Sequence, residues 1–213
     1  MHIIVFGLNH NTAPIEIREK LFCSENKLPG LLKKLKDSGL DENVVLSTCN
    51  RTEIYFCCET PEEYLNKIEI LLIEYFSIKN EWLENYTYSF IDNDAYRHLF
   101  LVASGLDSMI IGEPQILGQV KDAYRIATFH NTAGFFLNKL FHKTFNVAKK
   151  IRTETKIGYN PLSISSMAIE LAKKIFIAVF LSTLTVGSIL ILASYKYTIS
   201  RSEEDFVSRY QVF

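Results

Sequence analysis

Cys49 sits in the polar run Ser47-Thr-Cys-Asn-Arg51, between two apolar segments and two residues ahead of an arginine. A thiolate in such a place is a nucleophile for acyl carbon, and the fixed charge of Arg51 could favour that thiolate or hold a carboxylate. The plainer reading is a small buried hydrophobe, the usual fate of a free cysteine. The neighbours weigh against it, because Ser-Thr-Cys-Asn-Arg seldom lines a dry core. With Cys23, Cys57 and Cys58 the chain has four cysteines, too few and too irregularly spaced for a disulfide framework, and no Cys/His spacing suggests a metal. Reduced thiols are expected.

A second group is electrostatic. Lys139, His142, Lys143, Lys149, Lys150, Arg152 and Lys156 are strung along one predicted helix, either as a cradle for phosphates or as an ordinary solvated face. The formal net charge of −1 hides them, since the charged residues within 53–84 are mostly acidic. A polyanion would meet one region only.

To position these groups the chain has 213 residues, 48% of them apolar, which allows one sizeable core and a smaller appended element. Residues 2–7 read as a β-rich strand, and Asn9–Pro14 as a turn leading into a helix through Phe22. A second helix is expected from Ser24 to about Asp37. Val44–Leu46 and Thr52–Glu59 are strands, which makes the Cys49 segment the loop between them. Pro61–Phe76 is an amphipathic helix, Tyr86–Ile91 a strand, and Asp92-Asn-Asp94 caps a helix from Ala95 to Gly105. The order β-α-β-β-α-β predicts an α+β fold, the ferredoxin-like split βαβ, with helices on one face of an antiparallel sheet. Long helices at about Gln115–Phe129 and Gly134–Thr155 follow as cover and a connecting arm. Gly158-Tyr-Asn-Pro161 then breaks the chain, so the first domain is 1–157, and Ser163–Ile175 reads as another helix.

Three segments, in order, carry a resemblance. Gly7-Leu-Asn-His-Asn-Thr-Ala-Pro14-Ile-Glu-Ile-Arg18-Glu19, Leu46-Ser-Thr-Cys49-Asn-Arg51-Thr-Glu-Ile-Tyr55 and Ser108-Met-Ile-Ile-Gly-Glu113-Pro-Gln115-Ile-Leu-Gly-Gln119 resemble the signature segments of glutamyl-tRNA reductases. The similarity runs on through Gly158-Tyr-Asn-Pro-Leu-Ser-Ile-Ser-Ser166 to about Phe176. It implies that Cys49 attacks the aminoacyl ester of glutamyl-tRNA(Glu) and forms a thioester, which NADPH reduces to glutamate-1-semialdehyde, the first step of the C5 route to 5-aminolevulinate and porphyrins. It also implies a substrate-binding role for Thr48, Asn50 and Arg51, with Arg51 gripping the glutamate carboxylate in two bonds. Ser108, Glu113, Pro114, Gln115 and Gln119 match a further substrate-contacting segment, in which Glu113 could hold the α-ammonium. Read alone, Gln115 and Gln119 would be a solvated helix stripe. His98 matches a histidine near the family's reaction centre, with an acid/base or orienting role against the alternative of a satisfied core histidine. Family members are homodimers, and glutamate-1-semialdehyde aminomutase is a candidate partner.

Beyond Phe176 the resemblance implies a strand, a Gly-x-Gly-x-x-Gly turn for NADPH and a dimerisation domain, and the sequence has no such motif. Residues 158–176 would lead towards that domain, and 177–213 form an atypical apolar tail. Residues 175–195 carry no charge and meet the length rule for a transmembrane helix, with a disrupted reading frame or a strand pair of a truncated domain as alternatives. The start of the chain lacks a basic region and a long apolar run, so the expected compartment is cytoplasmic, or membrane-anchored through 175–195. The second function class is a remnant or tRNA-binding module that forms or hydrolyses the thioester but cannot reduce it.

Overall fold

The computed structural model describes residues 1–155, 157 and 164–210. Its centre is a four-stranded antiparallel sheet of β1 (His2–Asn9), β2 (Asn43–Ser47), β3 (Arg51–Cys58) and β4 (Tyr88–Ile91), in the order β2-β3-β1-β4. That order is the ferredoxin-like split βαβ. The helices of the first crossover are α1 (Ile15–Leu21) and α2 (Leu28–Asp37), and those of the second are α3 (Pro61–Phe76) and α4 (Asn80–Tyr86). α5 (Asn93–Ser104), α6 (Gln115–Phe129) and α7 (Phe135–Thr155) follow the sheet.

The strands alternate between two cores. Ile4, Phe6, Val45, Ile54 and Phe56 face the core shared with α1–α4, whereas Ile3, Val5, Val44, Tyr55 and Cys57 face the one shared with α5–α7. Helices therefore cover both faces, not the one face expected. The physical reason lies in β1 and β3, where nearly every residue is buried, a burden that a sheet wetted on one side does not impose.

Two boundaries depart from the sequence reading. Ser24–Lys27 forms a turn and α2 opens only at Leu28, because a helix begun at Ser24 would place Pro29 where its missing N–H breaks the ladder. α4 takes up Asn80–Tyr86, so the fourth strand starts at Tyr88.

Gly7 decides how closely β1 and β3 approach. It pairs with Glu53 on one side and Tyr88 on the other, and a Cβ built there would lie 2.3 Å from the Thr52 carbonyl oxygen and 2.7 Å from the Glu53 Cα. Both are backbone atoms, which cannot rotate away. Gly7→Ala should destabilise the fold by about 3 kcal/mol, the upper range for overpacking, read as a lower urea midpoint. An unchanged midpoint would show that the strands can part there without cost.

The chain divides into two compact units, Met1–Pro161 and Leu162–Phe213. Among its described residues the second is one continuous helix, α8 (Ile164–Tyr210), of 47 residues. A strand pair in this segment is therefore not what forms. The chain break expected at Gly158-Tyr-Asn-Pro161 lies outside the described residues.

Candidate active site

Cys49 stands on the three-residue connection between β2 and β3. The Thr48 hydroxyl accepts hydrogen bonds from the backbone N–H groups of Asn50 and Arg51, both at 3.2 Å, while the Thr48 N–H donates to the Arg51 carbonyl at 2.8 Å. From α1, Arg18 Nη1 donates to the Cys49 carbonyl at 2.9 Å and to Asn50 Oδ1 at 3.0 Å. The turn backbone is thus held from both sides while the Cys49 side chain is left exposed.

The other three cysteines are buried. Burial pushes the Cys23 thiol up to about 11 and also raises those of Cys57 and Cys58. Cys49 alone combines exposure with a polar setting. It lies between two clefts. One, of about 320 Å³, is lined by Ile15, Arg18, Glu19 and Phe22, and the other, of about 310 Å³, brings in Gln119 and Asp122 from α6.

Behind the loop lies a buried polar network centred on Glu53, which has no exposed surface. Its carboxylate accepts from Arg51 Nη1 at 2.6 Å, the Tyr88 hydroxyl at 2.6 Å, the Tyr55 hydroxyl at 2.5 Å and His98 Nε2 at 2.9 Å. Burial alone would raise the Glu53 pKa, but the Arg51 charge and the His98 and Tyr55 hydrogen bonds outweigh it and hold the group ionised well below the usual carboxylate range. A carboxylate only accepts, so His98 Nε2 carries the proton in this bond. Tyr88 reaches Glu53 across Gly7, whose missing side chain leaves the path open.

Arg51 is 1% exposed, and its second amino group donates to the Asp107 carboxylate at 3.0 Å and to the Asp107 carbonyl. Both terminal amino groups of Arg51 are thus engaged within the protein. The two-bond grip expected of Arg51 would require it to leave Glu53 or Asp107, and in this structure it ties the segment after α5 to the start of β3. The arginine that touches the cysteine loop is Arg18.

That segment reverses direction at two glycines in the left-handed region, Gly105 at φ 77° and Gly112 at φ 82°, and the Gly112 N–H donates to the Gly105 carbonyl at 2.8 Å. Within it Ser108 and Glu113 are half-buried, and Arg152 of α7 donates to the Glu113 carbonyl at 2.8 Å. Pro114 precedes α6, where Gln115 and Gln119 are both exposed. Thr48, Cys49 and Gln119 share a cleft. His98 and Arg51 meet through Glu53, and the hydrogen bond of His98 goes to that carboxylate and not to Cys49.

The basic residues of α7 do not form one free stripe. Arg152 holds Glu113, Lys150 lies 3.9 Å from Glu154, and His142 contacts the Tyr124 hydroxyl at 3.1 Å. Lys139 and Lys143 line a groove with Tyr96 and Phe100, and Lys156 lies outside the described residues.

Sequence reasoning passed over Arg18, Glu53, Tyr88 and Asp107. For Glu53 a signal was present: Arg51, Glu53 and Tyr55 alternate on one face of a strand whose other face is apolar.

Comparison with known proteins gives the family. Residues 6–155 match the family described as glutamyl-tRNA(Glu) reductase, N-terminal domain. A glutamyl-tRNA reductase of Syntrophobacter fumaroxidans is 51% identical over 179 residues, which is 82% of this chain and 38% of that protein. One from Neisseria meningitidis is 46% identical over 177 residues, 83% of this chain and 41% of its own length. The solved glutamyl-tRNA reductase from Methanopyrus kandleri superposes with a TM-score of 0.64 at 31% identity, covering 81% of this chain and 39% of that one. The chain spans about two fifths of the length of these relatives.

Proposed function

This chain belongs to the glutamyl-tRNA reductase family, and from that premise we propose that it captures the glutamyl group of glutamyl-tRNA(Glu) on Cys49. The observation that carries the reading is the exposed Cys49 side chain on a turn whose backbone is fixed by Thr48 and Arg18. In the reaction the sulfur attacks the ester carbonyl carbon. A C–S bond forms, the bond to the ribose oxygen breaks, and the terminal hydroxyl of the tRNA leaves with the proton that the thiol has given up. A thioester is less resonance-stabilised than an ester and so remains open to a second acceptor.

Which groups read the glutamate follows from what flanks the sulfur. Arg18 offers a cation beside the loop, Thr48 and Gln119 line the clefts, and Asn50 adjoins Cys49 with its side-chain oxygen on Arg18. Arg51, Glu53 and His98 support the loop from behind. Ser108, Glu113, Pro114 and Gln115 belong to a neighbouring segment that Asp107 joins to Arg51.

The family's reductive step uses NADPH, and the residues present do not fit it. The sequence has no Gly-x-Gly-x-x-Gly, and among the described residues 164–210 form one helix whose Gly187 has nothing within 4 Å of where a Cβ would stand. A pyrophosphate cradle needs glycines where backbone approaches phosphate at a helix N-terminus.

The test is a single assay of the purified chain with labelled glutamyl-tRNA, with and without NADPH. Labelled glutamate should be trapped on protein and then released by water as free glutamate, at the same rate whether NADPH is present or not. Semialdehyde formed only with NADPH would overturn the cofactor reading, and absence of any trapped label would overturn the capture itself.

A further inference from the structure

We propose that residues 175–195 of α8 cross a lipid bilayer once and anchor this chain to a membrane. Within Leu171–Glu204 the most apolar 18-residue window has a mean hydropathy of 2.5, and none of that window is buried in the protein. A core helix of a soluble protein would be covered, and a cleaved leader would stand at the N-terminus. Residues 175–195 carry no charge, and 21 residues at a rise of about 1.5 Å give about 30 Å, the thickness of the hydrocarbon layer.

The apolar side chains are not confined to one stripe. Ile189, Leu190, Ile191 and Leu192 are consecutive and each is more than 60% exposed, and successive helical residues point about 100° apart. They face every side of the helix. A second copy or a groove would cover one side and leave the rest in water, whereas lipid covers all of it at once. Phe176 and Phe180 stack near one end, and Tyr195 and Tyr197 stand at the other, the aromatic type enriched where acyl chains meet water. Lys173-Lys174 and Lys196 close the run on either side.

The polar atoms inside the run are also provided for. Ser182, Thr183, Thr185, Ser188 and Ser194 are its serines and threonines, and each hydroxyl donates to a carbonyl three or four residues back at 2.8–2.9 Å. No such group needs water, which is the condition for a helix in lipid.

The experiment is synthesis of the full chain in a cell-free system containing phosphatidylcholine vesicles, followed by flotation and an alkaline carbonate wash. The parent chain should float and resist the wash, and protease added outside should leave a protected fragment containing 175–195. Leu184→Arg combined with Ile189→Arg should lower the floated fraction by about tenfold or more, since each charge would sit in hydrocarbon. A chain stripped by carbonate, a chain soluble without lipid, or a pellet that does not float would each overturn the proposal, as would a double-arginine variant that floats like the parent. Capture on Cys49 is assayed separately, so failure of one reading does not touch the other.

Discussion

Cys49→Ser should lower the capture of glutamate from glutamyl-tRNA by about 10³-fold or more, the scale on which removal of a nucleophile is felt. The substitution replaces one atom on an exposed side chain. It leaves intact the bonds that fix the turn, because Arg18 binds the Cys49 carbonyl and Thr48 binds backbone N–H groups. Folding is therefore preserved and the loss falls on chemistry, where a hydroxyl near neutral pH lacks the anion that a thiol supplies. Cys23→Ser, Cys57→Ser and Cys58→Ser should each retain capture, since those thiols are buried and their pKa values are raised. A thiol-alkylating reagent on the folded chain should add one mass increment and abolish capture with it. Labelled glutamate still trapped on the Cys49→Ser protein would sink the nucleophile assignment.

How much of this could be read beforehand depended on whether the information was local. The Cys49 loop was legible, because a polar run between two apolar strands has one reading, and β1, α3, α5, α6 and α7 came close to their expected spans. The start of α2 was missed for a reason confined to one residue, since Pro29 sits in its first turn and the turn at Ser24–Lys27 precedes it. The partners of Arg51 were not legible. An arginine two residues from a cysteine in a polar loop reads as a substrate clamp. That it is buried against Glu53 and Asp107 depends on a pairing across 56 residues of sequence that no periodicity reports. The same holds for His98, whose partner Glu53 lies 45 residues earlier. Both distances are closed by the sheet, where Gly7 draws β3 and β4 to either side of β1. The apolar character of 175–195 was plain in composition, but that its serine and threonine hydroxyls are all satisfied within one helix was not.

Glu53→Gln should cost about 3–5 kcal/mol of stability, the range found when one partner of a buried ion pair is removed. An amide keeps the shape of the carboxylate but replaces one accepting oxygen with a donor. Arg51, Tyr88 and His98 all direct protons at one oxygen of Glu53 and Tyr55 directs one at the other, so whichever way the amide turns, a donor meets a donor. Arg51 would also lose its closest counter-charge while 1% exposed. The sign of the pH dependence follows from the same contacts. The Glu53 pKa is depressed in the folded state, so its stabilisation is fully present above the unfolded carboxyl value of about 4.3 and is lost as pH falls below that towards the folded value. The parent should therefore weaken steeply in acid, and Glu53→Gln should be weaker throughout but flatter over that window. Trp82, the single tryptophan, packs against the core shared with α1–α4, and its fluorescence follows unfolding in urea at each pH. The Cys49 loop depends on this network through Arg51, the residue that ends its turn. Capture by Glu53→Gln at neutral pH should therefore fall even where the variant remains folded. A Glu53→Gln protein as stable as the parent, with the same acid slope, would show that the carboxylate does not hold Arg51, His98 and the two tyrosines together.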